Sequence, residues 1–167
     1  MNKEIQKLLS SNKEAEISKG IELFEKKGSL KELALVLDIL ETELSDQLEN
    51  RIIDMIGYIK TKEANSIIID AVLKAKKASG NLRALMQICW QSSLDFTQHL
   101  DLFTDIFISE DYLTALEAFT VIENVWADYS FNEEHQQLLL DKLKDSLGTM
   151  DENKLILAKE LILILEA

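Results

Sequence analysis

No proline occurs in the 167 residues, and only five glycines do. Average usage would place about eight prolines in a chain of this length. Proline ends or kinks helices and terminates many connections, so its absence beside abundant Leu, Ile, Glu, Lys and Ala predicts an all-α chain with short, ordinary turns. A hydrophobic share of 47% with 29% charged residues belongs to a folded globular chain rather than a disordered one. The length suits one helical domain over 1–167 with a sizeable core.

Helix signals recur at a regular beat. Asn12 precedes a stripe of Ile17, Ile21 and Phe24 that ends at Gly28. Ser29 caps LKELALVLDILETE with Glu32 in the capping-box position. Ser45 opens DQLENRIIDMIGYIK, Thr61 opens KEANSIIIDAVLKAKK with Gly80 in the turn beyond, and Asn81 opens LRALMQICWQ. Asp95 opens FTQHLDLFTDIFIS, Asp111 begins a helix reaching about Trp126, and the last two helices run from about Asn132 to Leu147 and from Asp151 onward. Two leading helices over 1–28 are therefore followed by helix pairs at about 29–60, 61–92, 95–127 and 131–166. Laying second helices over one another matches Leu82, Leu85, Met86 and Cys89 with Tyr112, Ala115, Leu116 and Phe119 at an offset of 30. A two-helix unit every 30 to 35 residues marks a helical solenoid; an ordinary helical bundle is the alternative for the same helices.

In DFTQHLDLFTDIFISEDYLTALEAFTVIENV, a first helix carrying Leu100, Phe103 and Phe107 leads directly into a second rich in Ala and Leu. That segment resembles the HEAT-like branch of the armadillo-type α-solenoids, and the resemblance extends over roughly 29–166. It implies a right-handed α-solenoid whose second helices stack side by side, and a non-catalytic role as a protein-binding adaptor or scaffold.

Charge narrows the partner. The net charge is −12, and from Ala84 to Asp141 there is no Lys or Arg against eleven carboxylates. Such a surface repels phosphate backbones, so nucleic acid is not expected as a ligand, whereas a basic protein or peptide is. Opposite the core stripe, the second helices carry Arg51, Asp54 and Tyr58, then Gln87, Trp90 and Gln91, then Glu117, Thr120 and Asn124. Each set lies on one helix face, and together they form the candidate partner-binding row.

Chemistry has little to work with. Cys89 is the sole cysteine and falls on the apolar stripe of its helix, so it is expected in the core; His99 is expected at a boundary. One cysteine makes no intramolecular disulfide or cysteine-based zinc site and suits a reducing, cytoplasmic location. No His-x-x-x-His pair, EF-hand loop, glycine-rich phosphate cradle or nucleophile elbow occurs, so no cofactor, no metal and no enzymatic activity are expected. Asp101 and Asp105 are read as a solvent-facing pair. The start is charged throughout, unlike a signal peptide, and the longest apolar run, LILIL at 161–165, is too short to cross a membrane. Gly57 is expected to admit a close helix neighbour, and Gly20 to be merely tolerated. The final helix is apolar on more than one face, which predicts either burial on both sides or self-association of the chain.

Overall fold

The computed structural model describes residues 2–128 and 133–167, and among them every regular element is a helix. Asn132, expected to open the ninth helix, lies outside the described residues. The chain divides into two compact units, residues 1–94 and 95–167. The first unit holds α1 (Lys3–Leu9), α2 (Glu14–Lys27), α3 (Leu30–Ile39), α4 (Asp46–Gly57), α5 (Ala64–Ala78) and α6 (Leu82–Gln91). The second holds α7 (Leu100–Ser109), α8 (Tyr112–Asp128), α9 (Glu133–Ser146) and α10 (Glu152–Glu166), with 3-10 turns at Thr97–His99 and Leu147–Thr149.

Local chemistry sets most helix starts. The Ser29–Glu32 capping box forms in full, and the side chains of Ser45, Asn81 and Asp151 accept from the backbone N–H groups of Leu48, Ala84 and Lys154. Asp111 likewise accepts from Leu113 and Thr114. Two starts differ from the sequence expectation. Helix α5 begins at Ala64 rather than beside Thr61, because residues 61–65 first form tight turns, Ala64 N–H to Thr61 O and Asn65 N–H to Lys62 O. Asp95 caps the Thr97–His99 turn through Thr97 N–H and Oγ1, so α7 starts only at Leu100.

Within each unit, α1–α2, α5–α6, α7–α8 and α9–α10 pack as neighbours in sequence, and most other packing joins helices two places apart. In the first unit α1 packs on α2, α1 on α3 and α3 on α5, while α2 packs on α4 and α4 on α6. In the second, α7 packs on α8 and on α9, and α10 packs on both α8 and α9.

The buried positions of α2, α4, α6 and α8 share one register. Gly20, Ile52, Leu85 and Ala118 are equivalent, as are Ile21, Ile53, Met86 and Phe119, and so are Phe24, Ile56, Cys89 and Ile122. These steps are 32, 33 and 33 residues, and all twelve residues are buried. The offset of 30 is therefore corrected to 33 between α6 and α8. At 30 it would match buried Leu82 and Met86 with Tyr112 and Leu116, which are exposed. At 33 their counterparts are Ala115 and Phe119, both buried. The same frame takes in the buried positions of α2.

Polar contacts fasten corner to corner. Ser45, the cap of α4, donates its N–H and its hydroxyl to Glu14 at the start of α2. Asn81, the cap of α6, donates its N–H to Glu41 and its side-chain amide to Leu40 O and Glu49. A Cβ on Gly80 would come within 2.0 Å of a Glu41 carboxylate oxygen, so only glycine lets that carboxylate dock. The left-handed residue ending α5 is Ser79, at φ 55°, and not the neighbouring glycine. In the second unit Lys154, 7% exposed, reaches from α10 to the α7–α8 corner and donates to Ile108 O at 2.6 Å and Glu110 O at 2.8 Å. Its ammonium covers carbonyls that α7 leaves unpaired at its C-terminus.

Gly20 has a packing reason after all: a Cβ there would stand 2.8 Å from Leu9 Cδ2 and 3.1 Å from Leu8 Cβ. Its bare backbone lets α1 lie close on α2. Gly57 admits α6 in the same way, with Gln91 Cβ 3.1 Å from the place of a Cβ.

Candidate partner-binding face

The 33-residue frame places the row on equivalent positions. Asp54, Gln87 and Thr120 correspond, and Tyr58, Gln91 and Asn124 correspond; all six are exposed or half-exposed. Arg51 corresponds to Glu117, and Trp90 to Gly57 and Glu123. Helical geometry explains the division. Positions two residues after Ile52 and Ile56, after Leu85 and Cys89, and after Ala118 and Ile122 turn about 200° from them, so the stripe that fills the core leaves the same polar stripe outward on α4, α6 and α8.

In the first unit the row is built by α4 and α6. Tyr58, the C-cap of α4, is 82% exposed, the most open large hydrophobic residue among those described. Gln91 folds over the bare backbone of Gly57 and is itself exposed, which brings the end of α6 to the end of α4. Gln87 and Trp90 are half-buried and engaged with other groups of the chain. Arg51 is not a free cation: its guanidinium makes a two-pronged pair with Glu25 of α2, Nη2 to Oε2 at 2.8 Å and Nε to Oε1 at 3.2 Å. Hydrogen bonding to Glu25 holds its pKa above the usual value against partial desolvation. Arg51 therefore ties α2 to α4, and Asp54 supplies the accessible charge.

In the second unit α8 carries the remainder. Glu117 is half-buried, Asn124 is exposed, and Thr120 Oγ1 donates back to Leu116 O at 3.1 Å. Beside them lie Leu113, 48% exposed, and Leu116, 36% exposed. The offset of 30 aligned Leu116 with Met86, a buried residue, whereas Leu116 stands at the surface. The signal that would have placed it outside was the run of small residues Ala115 and Ala118, which marks the side on which α8 is closely packed.

Charge nearby is partly satisfied within the unit. Asp101 and Asp105 do not simply face solvent: Lys142 of α9 lies 2.9 Å from Asp105 and 3.4 Å from Asp101, and His135 Nε2 lies 3.9 Å from Asp101. Burial alone would lower the Lys142 pKa, but Asp105 and then Asp101 outweigh it and raise it. Among the described residues no group of three or more His, Cys, Asp or Glu side chains is arranged to hold a metal.

Cys89 is 2% exposed, and burial pushes its thiol far above the ordinary range, so it stays protonated and inert as a core side chain. His99 is half-buried. An open cleft of about 620 Å³ in the first unit is lined by residues that include Glu14, Asp38 and Thr42. Two of its carboxylates are engaged, Glu14 by Ser45 and Asp38 by Lys74. No described helix is long and apolar enough to cross a membrane. No protein-family model, curated protein or solved structure matches the chain.

Proposed function

We propose that this chain is a short HEAT-like α-solenoid serving as a non-catalytic adaptor or scaffold, which binds a basic protein or peptide on the outward face of its second helices. The observation that carries the reading is the shared register: Asp54, Gln87 and Thr120, and Tyr58, Gln91 and Asn124, recur outward where the equivalent core positions recur inward. A repeat that preserves an outward polar stripe, with an open Tyr58 on one helix and open Leu113 and Leu116 on another, offers the mixture of apolar anchors and polar rim found at protein interfaces. The carboxylates Asp54, Glu117 and Glu123 on these helices favour a cationic partner and accelerate its approach.

The test is fluorescence anisotropy with a labelled, Lys- and Arg-rich amphipathic peptide. Binding is expected to weaken at least about tenfold between roughly 50 and 300 mM salt, because surface charge is screened over a Debye length near 8–10 Å. Tyr58→Ser combined with Trp90→Ala should weaken it by a further order of magnitude, with the helical circular dichroism unchanged. Binding that ignores both salt and the double substitution, or no binding by the unaltered chain, overturns the reading.

A further inference from the structure

We propose that α10 pairs with α10 of a second copy of this chain in a parallel, two-fold arrangement. This inference is independent of the adaptor reading, since it uses a different helix and a different occupant.

Helix α10 buries Ala158, Leu161, Ile162 and Leu165 against its own unit. Diametrically opposite, Ile156 is 65% and Leu163 67% exposed. At about 100° per residue these two lie only about 20° apart, seven residues and therefore about 10 Å along the helix. Two large aliphatic side chains thus stand open to water on one face of the helix.

The flanking charges select the occupant and its orientation. Lys159 stands about 60° to one side of Ile156 and Glu160 about 40° to the other. Both are exposed, and neither makes an ion pair or a side-chain hydrogen bond with the described residues. A two-fold axis parallel to the helix stacks Ile156 on Ile156 and Leu163 on Leu163 of the two copies. It also sets each Lys159 against the other copy's Glu160, once on each flank. An antiparallel pairing centred on the same stripe would instead set Lys159 against Lys159 and Glu160 against Glu160, which like-charge repulsion disfavours. Glu152, exposed about 40° from Ile156 on the Lys159 side, meets its own copy at one end of the parallel pair, so the two Lys159–Glu160 contacts act against one like-charge contact and leave the two-fold interface a net charge match. One face of a 15-residue helix is smaller than the roughly 800 Å² per partner of a standard interface, so the dimer forms at concentrations on the order of 10–100 µM.

Sedimentation velocity of the full chain from about 5 µM to 1 mM is the test. The unaltered chain is expected to pass from monomer to dimer across that range. Leu163→Lys should abolish the change, and Lys159→Glu or Glu160→Lys alone should weaken association about tenfold. The combined exchange Lys159→Glu with Glu160→Lys should restore it, because the cross-pairing is preserved with its signs reversed. A chain that stays monomeric at 1 mM, or association that is indifferent to the single charge changes, overturns the proposal. So does a double exchange no better than the single variants, which would point to an antiparallel or non-specific contact. Peptide binding by the second helices is untouched by any of these results.

Discussion

Replacing Lys154 by Met isolates the corner contact in the second unit. Methionine keeps most of the aliphatic stem's packing and removes the ammonium that donates to Ile108 O and Glu110 O. A hydrogen bond to a charged group contributes about 1.5–3 kcal/mol, so two contribute about 3–6 kcal/mol gross. Against that stands the cost of holding an ammonium at 7% exposure, which the substitution relieves and which amounts to several kcal/mol for a buried ion. The carbonyls left behind are those of a helix C-terminus and lose their only charged donor, so the loss outweighs the relief and the net cost is about 2 kcal/mol. For a chain of 167 residues each kcal/mol lowers Tm by about 2–4 °C, which gives a fall of about 4–8 °C. Differential scanning calorimetry reads that fall, and hydrogen exchange should accelerate first at the end of α7 and the start of α8. An unchanged or raised Tm would refute the reasoning, because it would mean that desolvation of Lys154 cancels both bonds.

Glu32, 2% exposed, accepts from the hydroxyl and N–H of Ser29 and from Asn2 N–H, and these bonds, the Ser29 hydroxyl foremost, hold its pKa below the usual carboxylate value despite burial. A depressed carboxylate stabilises the fold above its unfolded pKa, near 4.5, and loses that contribution as pH falls through the lower folded value. Glu32→Gln keeps a capping-box acceptor but turns its amide NH2 toward one set of these donors, so it should lower stability at pH 7 by about 1–2 kcal/mol and flatten the decline in chemical-denaturation stability between pH 5 and 3. At Gly20, substitution by Val should cost about 1–3 kcal/mol in a urea titration, because the new side chain must displace Leu9 and Leu8 of α1.

The helices were legible because their causes are local. Ser29 with Glu32, and Ser45, Asn81, Asp111 and Asp151, sit within three residues of the N–H groups they accept from. Thr61 misled because a capping residue type can serve a turn that precedes the helix, as its carbonyl does here. The position of Cys89 in the core followed from spacing alone. The register between α6 and α8 did not, since a period of 30 and one of 33 both bring apolar residues together, and only packing distinguishes open Leu116 from closely packed Ala115 and Ala118. In the candidate face, Tyr58 and Gln91 were correctly turned outward by helical periodicity. The engagement of Arg51 by Glu25, 26 residues away, depends on how α2 lies on α4 and has no local signature. The same is true of Lys142 between Asp101 and Asp105, and of Lys154 on the α7–α8 corner.

The functional reading rests on second helices that present equivalent faces, and cysteine accessibility measures this directly. Single cysteines placed at Asp54, Gln87 and Thr120 are to be compared with single cysteines at Ile53, Met86 and Phe119 for their rate of labelling by a maleimide under native conditions; Cys89 serves as the buried internal reference. The first three are expected to label at least about a hundredfold faster than the second three, with Cys89 silent until unfolding. Equal rates at 86 and 87, or at 119 and 120, would contradict the shared register and with it the partner-binding face.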